Sequence, residues 1–439
     1  MLKFGRMRMF IPYFFVFIML SGLYTYYVSP VNEYLGFSFN LDIYRIFSST
    51  LILFIFVLIT PIDRNVRGFL LNIILSICII PSLVLYSFAD KPSYIAYCIW
   101  IACLVVYSVS ALKFPRVRIT KIGPTALMRL ALLLTIGYII VLAKFSGFAN
   151  FNLNISRVYD FRDAAAESIP SFFAYISTVF SKIVIPIGIV ISLMTRKYIT
   201  TFLMIVSSIL LFGFISHRGV LIYPFISAGI YIVLAKSPQF SRVLIVLMII
   251  FLIGFIDAAM YFMVGAGSIW GWFVDIIVRR GLMLPALLDF NHIEFFWDNP
   301  RYYWSASRLT MGMIPSPYEL PPANLIGKEF FQNPATSANT GFIGNGFAQA
   351  GFWGMIAYSI CVGLVIAFLD AYGRYLGLPL VAAMLSVQMM TMFTGTDFLT
   401  MFLTHGMLAS LVVLMVMGSP SERRQRKRPP ITDPAPIMS

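Results

Sequence analysis

Residues 243–264 read VLIVLMIIFLIGFIDAAMYFMV, with Asp257 the only charged residue among them. At 1.5 Å per residue, an α-helix of this stretch is about 33 Å long. The hydrocarbon core of a bilayer is about 30 Å thick, so a helix of this length and composition crosses it.

The rest of the chain follows the same pattern. Hydrophobic residues make up 59% of 439 and charged residues only 11%, with a mean hydropathy of +0.86. A soluble globular domain carries roughly a quarter charged residues, so the bilayer is the solvent for this chain. About twelve apolar runs are long enough to be transmembrane helices, near 9–29, 46–62, 69–89, 94–112, 125–146, 171–194, 199–216, 219–235, 243–264, 342–368, 376–394 and 398–418. The links between them are short and polar, except 147–170 and 265–341. The pattern predicts an all-α polytopic integral membrane protein. A single transmembrane domain covers 1–419, 265–341 is a large loop, and 420–439 is a disordered basic tail, rich in Arg and Pro and poor in apolar residues. No small-residue cleavage site follows the first run, which is read as a retained helix.

Charge sets the orientation. Lys3, Arg6 and Arg8 precede the first run. Arg64 and Arg67 follow the second, and Lys113, Arg116, Arg118 and Lys121 follow the fourth. Arg196 and Lys197 come after the sixth, Lys236 and Arg242 after the eighth, Arg374 after the tenth, and Arg423 to Arg428 after the last. These positions share one face of an even-numbered topology, which the positive-inside rule makes cytoplasmic, with both termini. Of 18 Asp and Glu, only Asp63, Asp370, Glu422 and Asp433 fall on that face. The net charge of +14 therefore marks topology, and without a basic stripe or a base-reading fold it does not point to nucleic acid. Cys78, Cys98, Cys103 and Cys361 all lie inside apolar runs, which argues against a disulfide framework.

The outward loops hold arginines that the positive-inside rule disfavours: Arg157, Arg162, Arg218, Arg279, Arg280, Arg301 and Arg308. Two readings stand. They pair with the acids among them (Asp160, Asp163, Asp275, Asp289, Asp298) or with lipid phosphate. Alternatively they clamp a phosphate or pyrophosphate, for which the planar guanidinium fork is matched. Arg218, Arg279 and Arg280 are the foremost candidates, since each sits at a helix end. In Gly341–Gly354 the small residues make a face for close helix packing. Asn345 and Gln349, spaced i and i+4, would share a face and hold sugar hydroxyls, and the helix start is a natural anion seat. Lys182 and Asp257, inside apolar runs, either pair with each other or line a polar cavity. His292, in Asp289-Phe-Asn-His292-Ile-Glu294, is either a satisfied loop histidine or a general base, with Glu294 a further candidate. No metal-ligand spacing and no Gly-rich phosphate loop is present, so neither a metal nor a cofactor is expected.

Four features together resemble the bacterial O-antigen polymerases, the Wzy-type oligosaccharide repeat-unit polymerases. They are Ser216-His217-Arg218-Gly219, Arg279-Arg280 with Pro285 opening a long outer loop, the paired Arg157 and Arg162, and Gly341–Gly354 entering a late helix. The resemblance implies a metal-independent glycosyltransferase of GT-C-like architecture in the bacterial inner membrane, with 265–341 periplasmic. It implies transfer of a growing glycan from undecaprenyl pyrophosphate onto a new lipid-linked repeat unit, in surface polysaccharide (lipopolysaccharide) biosynthesis. Arg218, Arg280, His292 and Glu294 are then the catalytic candidates. Arg157, Arg162, Arg279, Arg308, Asn345 and Gln349 are the substrate-binding ones. The implied partners are the undecaprenyl-pyrophosphate-linked oligosaccharide, membrane lipid and a chain-length regulator protein. The alternatives are an O-antigen ligase, which uses the same donor, and a lipid-linked oligosaccharide flippase.

The charge pattern makes a direct prediction about topology. In intact cells a membrane-impermeant thiol reagent should label Asn333→Cys and leave Ser421→Cys untouched. Labelling of Ser421→Cys from outside would reverse the orientation.

Overall fold

The computed structural model describes residues 2–62, 64–115, 121–146, 151–154, 170–217, 219–237, 240–265, 267–307 and 310–418. The described chain is helical, without a strand. In chain order the helices are α1 (Met9–Leu35), α2 (Ile43–Ile59), α3 (Val66–Phe88), α4 (Ser93–Val109), α5 (Pro124–Phe145), α6 (Ile176–Met194), α7 (Tyr198–Ile215), α8 (Gly219–Lys236) and α9 (Val243–Val264). There follow α10 (Leu284–Asp298), α11 (Pro322–Phe331), α12 (Phe342–Leu376), α13 (Leu378–Thr394), α14 (Phe398–Leu403) and α15 (Met407–Val416). Eight of them, α1, α3, α5 to α9 and α12, are long and apolar enough to cross a membrane. Shorter apolar helices, α2, α4, α13 and α15, complete the bundle. The chain is thus a polytopic, all-helical membrane protein. The basic tail 420–439 lies outside the described residues.

The helices pack around two hydrophobic cores. α3 is the post of the larger one: beyond its first turn it is buried on all sides, its few polar groups such as Asn72 and Ser76 included, and α2, α12 and α13 pack on it. α4 and α10 lie along α12, and α9 lies along α1. A smaller core joins α5, α6 and α7 with the first turn of α8 through Tyr138, Phe180, Phe212 and Val220. α8 spans the seam, packing on α13 on one side and on α6 on the other.

Polar contacts separate the two ends of the bundle. At one end Asp370 takes the backbone N–H of Arg67 at 3.1 Å and pairs with Arg374, and Lys121 lies 5.1 Å from the ring of Tyr375. At the opposite end Arg45 bridges Asp42 at 3.5 Å and Asp90 at 3.1 Å.

Prolines widen four helices. π-helical turns cover Tyr24–Val28, Leu75–Ile79, Phe180–Val184 and Asp275–Met283. Each ends two residues before a proline: Pro30, Pro81, Pro186 and Pro285. A proline has no N–H to donate and its ring collides with the carbonyl one turn back, so the preceding turn opens to accommodate it.

Segment 265–341 holds a long helical stretch rather than irregular chain alone. The turn Asp275–Met283 runs into α10, whose residues Asp289, Asn291 and His292 are all buried. The run 342–368, expected as one helix, is cut. Ala350 (φ −146°, ψ 32°) and Gly351 (φ 61°, ψ −146°) leave the helical region, and the chain doubles back. Residues 342–349 then lie against the first turns of 352–376. A Cβ on Gly354 would sit 2.3 Å from the carbonyl oxygen of Gly346, and one on Gly346 would sit 2.8 Å from the Cα of Met355. In a continuous helix residues eight apart are separated by about 12 Å. The small-residue face expected in Gly341–Gly354 therefore closes this hairpin upon itself.

Gly354→Val should open the hairpin and cost on the order of 1–3 kcal/mol, the usual range for overpacking. Gly137→Ala is the control, because nothing lies within 4 Å of an added Cβ there. In thermal denaturation of the detergent-solubilised protein, Gly354→Val should melt lower and Gly137→Ala no lower than the native chain. Equal melting of Gly354→Val and the native chain would rule out the closed hairpin.

Candidate functional site

A cavity of about 630 Å³ opens where the two hydrophobic cores meet. α6 supplies Ser177, Ser181 and Lys182, and the turn between α7 and α8 supplies His217. Asn339 and Asn345 flank the start of α12, and Asp397, Thr400 and His405 come from the chain around α14. A second cavity of about 410 Å³, lined by Arg280, Pro285 and Leu288, adjoins it. Tyr223, Asn339, Thr391 and Gly395 line both, so the two form one cleft along α8 and the end of α13.

Local structure explains the placement of each group. Lys182 stands on the π-turn ahead of Pro186, and the backbone carbonyl of Lys182 accepts a 2.8 Å hydrogen bond from Gln388 of α13. His217 follows Ser216, which ends α7 in a left-handed conformation (φ 47°) and so turns the chain sharply into α8. Asp397 caps α14, accepting from the Thr400 N–H at 3.0 Å, and its other oxygen accepts from the Tyr358 hydroxyl at 2.9 Å. Tyr358 in turn accepts from the Trp304 indole at 2.9 Å.

The adjacent arginines part company. On the π-turn ahead of Pro285, Arg279 is buried and held by Asp275, its Nη2 2.8 Å from Oδ2. Arg280 shares the same carboxylate at 3.3 Å, is about half exposed (48%), and reaches the cleft. Lys182 and Asp257 do not pair: Asp257 accepts from the Val274 N–H at 2.9 Å, at the start of the helical stretch leading to α10.

Asn345 lines the cleft, its side-chain amide donating to the carbonyls of Thr340 at 2.6 Å and Gly341 at 3.2 Å. Gln349 faces elsewhere and accepts from the Trp304 N–H at 2.8 Å. The N-terminus of residues 342–349, expected as an anion seat, is already occupied by a side chain. Oδ1 of Asp289 accepts from the Gly344 N–H at 3.0 Å and the Thr340 hydroxyl at 2.5 Å. The opposite end is capped as well, the N–H groups of Tyr302 and Tyr303 meeting the carbonyls of Ala348 at 3.0 Å and Gln349 at 2.8 Å.

His292 and Glu294 stand away from the cleft. His292 is fully buried, with Nδ1 2.8 Å from the Leu288 carbonyl and Nε2 without a partner among the described residues. Glu294 is exposed and faces Lys91. Arg157, Arg162, Arg218 and Arg308 lie outside the described residues. The cleft also gathers groups that sequence reasoning passed over: His217 as a lining residue, His405 and Asp397. The Thr404-His405-Gly406 break inside an otherwise apolar run was the available signal for one of them. No family model, curated protein or solved structure matches the chain.

Asp289 and His292 belong to a helix that is not among the apolar spans, and burial moves them in opposite senses. It pushes the Asp289 carboxyl up to about 7 from its ordinary 3.8, against hydrogen bonds from Thr340 and Gly344. It pushes His292 down to about 4 from 6.5, against the Leu288 carbonyl. A raised acid binds its proton more tightly folded than unfolded, so its contribution falls as pH rises from about 4 to 7. A depressed imidazole is the reverse: its contribution is full above 6.5 and lost as pH falls towards about 4. The two slopes oppose each other in the native chain. Melting temperature should therefore climb with pH between 4 and 6.5 in Asp289→Asn and decline with pH between 4 and 7 in His292→Phe. Identical pH curves for the two variants would refute the assignment.

Proposed function

We propose that this chain is an O-antigen (surface polysaccharide) polymerase. It transfers the growing glycan from undecaprenyl pyrophosphate onto the sugar end of a new lipid-linked repeat unit, at the periplasmic face of a bacterial inner membrane. In this reading the apolar helices make about twelve spans with both termini cytoplasmic, in a GT-C-like architecture, and a chain-length regulator acts alongside.

The observation that carries the reading is the cleft itself. Cationic side chains stand at both of its ends, with Arg280 at one and Lys182 at the other, where the imidazoles of His217 and His405 also line the wall. Amide and hydroxyl groups lie between them, and two of its walls, α6 and α8, are helices of membrane-crossing length. That combination suits a ligand that is lipid, phosphate and sugar in turn.

In the reaction a hydroxyl oxygen of the acceptor sugar forms a bond to the anomeric carbon of the donor. The bond from that carbon to the pyrophosphate oxygen breaks, and the hydroxyl proton passes to a base. Pyrophosphate leaves as an anion, so fixed cations that meet its developing charge lower the barrier. Arg280 is placed for that role, with Asp275 orienting its guanidinium. His217 and Asp397 are the groups of the cleft able to take the proton, whereas His292 and Glu294 lie off it.

Arg280→Ala should abolish chain growth and Arg280→Lys should restore it poorly, because a bidentate fork is lost. The expected loss is about 10²–10³ in rate, the usual effect of removing one such contact. Arg218→Ala should behave alike. The readout is the glycan ladder of lipid-linked repeats polymerised by purified protein in EDTA, with protein level checked by blot. Full ladders from both alanine variants at normal expression would overturn the clamp.

A further inference from the structure

We propose that Lys182, with His405 beside it, forms an anion subsite in the larger cavity that takes a phosphate or carboxylate group of the substrate. Lys182 is only 7% exposed and lies within the membrane-length helix α6, yet it lines the cavity. Among the described residues its ammonium makes no ion pair and no hydrogen bond. A buried, uncompensated ammonium is costly and is retained inside a span only where a partner arrives.

Among the described residues no carboxylate is free to be that partner. Asp257 caps the stretch before α10. Asp397, the carboxylate of this cavity, is engaged by Tyr358 and by the Thr400 N–H. The helix N-terminus nearby, otherwise the natural seat for an anion, is filled by Asp289. His405 stands within electrostatic reach of Lys182 and adds a second nitrogen donor, its Nδ1 3.1 Å from the Thr404 hydroxyl.

The lysine is also aimed. Gln388 donates to the Lys182 carbonyl at 2.8 Å and to the Ser410 hydroxyl at 3.3 Å, which ties the π-turn to α13 and α15. A flexible surface lysine has no such anchorage. The smaller cavity has a different character, since its Arg280 is already partnered by Asp275. An incoming anion therefore meets its least compensated cation at Lys182.

Two chemical sources supply such a group to a glycan-carrier site: the pyrophosphate of the lipid carrier and the carboxylate of an acidic sugar. The subsite rests on the reading above only for this choice. Its test involves no turnover, so subsite and polymerase activity can fail separately.

Full-length protein in detergent is treated with formaldehyde and a borane reductant, and methylation is followed by mass spectrometry at Lys182. Lys197 and Lys328, on the surface, are internal references. Inorganic pyrophosphate in one arm and glucuronate in another are the probes. The expected result is at least tenfold protection of Lys182 by one of them, with the references unchanged. Protection by pyrophosphate alone assigns the subsite to the lipid carrier, and protection by glucuronate alone assigns it to an acidic sugar. Lys182→Arg should keep the protein's affinity for the protecting anion in calorimetry, and Lys182→Gln should lose it. A Lys182 that never reacts, or reacts equally with and without both anions, overturns the proposal.

Discussion

A helix of eight residues, 342–349, severed from its continuation and enclosed by other helices, is the constraint on which the rest of this structure depends. Its first N–H groups and last carbonyls have no partners within the helix. In apolar surroundings each unpaired group would cost about 1–3 kcal/mol. Segment 275–307 satisfies both ends: Asp289 takes the leading N–H of Gly344, and Tyr302 and Tyr303 meet the trailing carbonyls. Burying Asp289 is what this arrangement costs, and Thr340 and Gly344 offset part of it. The hairpin then holds Asn345 in the wall of the cleft and presses Gly341 against the backbone of Phe393. Without the caps there would be no fixed wall on that side.

The opposite wall depends on proline. Two of the four π-turns carry the cations of the cleft, Lys182 ahead of Pro186 and Arg280 ahead of Pro285. An extra residue in a helical turn shifts the side chains that follow off the regular face, and π-turns are frequent at functional sites for that reason. The same device thus serves both ends of the cleft, on helices that belong to different parts of the bundle. Asp275 holds both arginines, so one guanidinium is buried against it and the other, still paired with the same carboxylate, faces the cleft.

Much of this was legible in the residues. Runs such as 243–264 read as membrane-length helices, and ten of the twelve apolar runs fall on one helical stretch each, whereas 342–368 is cut into a hairpin and 398–418 into two short helices. Lys182, Arg280 and Asn345 stood out as polar groups in apolar or helix-end positions and do line the cleft. The elbow at Ala350–Gly351 was not legible. A Gly- and Ala-rich stretch reads equally as a packing face for a neighbour and as a fold-back upon itself, and only tertiary contact decides. α10 was hidden for a related reason. Its Asp289, Asn291 and His292 look like solvent-facing groups yet are buried, and Asp289 finds its partners some 50 residues away in sequence, in Thr340 and Gly344. His217 and His405 come together from turns nearly 190 residues apart, a proximity no spacing reveals.

The caps of the short helix lie on its N-terminal side in the chain, and that order has a consequence for biosynthesis. Chains emerge from the ribosome N-terminus first. Asp289 and Tyr302 to Trp304 are therefore made before residue 342 appears. A lone eight-residue helix is too short to be stable by itself. It meets its partners already in place, and the longer segment 352–376 that follows draws it in as the second arm of one hairpin. A chain with the same helix ahead of its caps would expose bare backbone to lipid during assembly. The sequential position of 275–307 is thus a feature of how the protein is built as well as of how it stands.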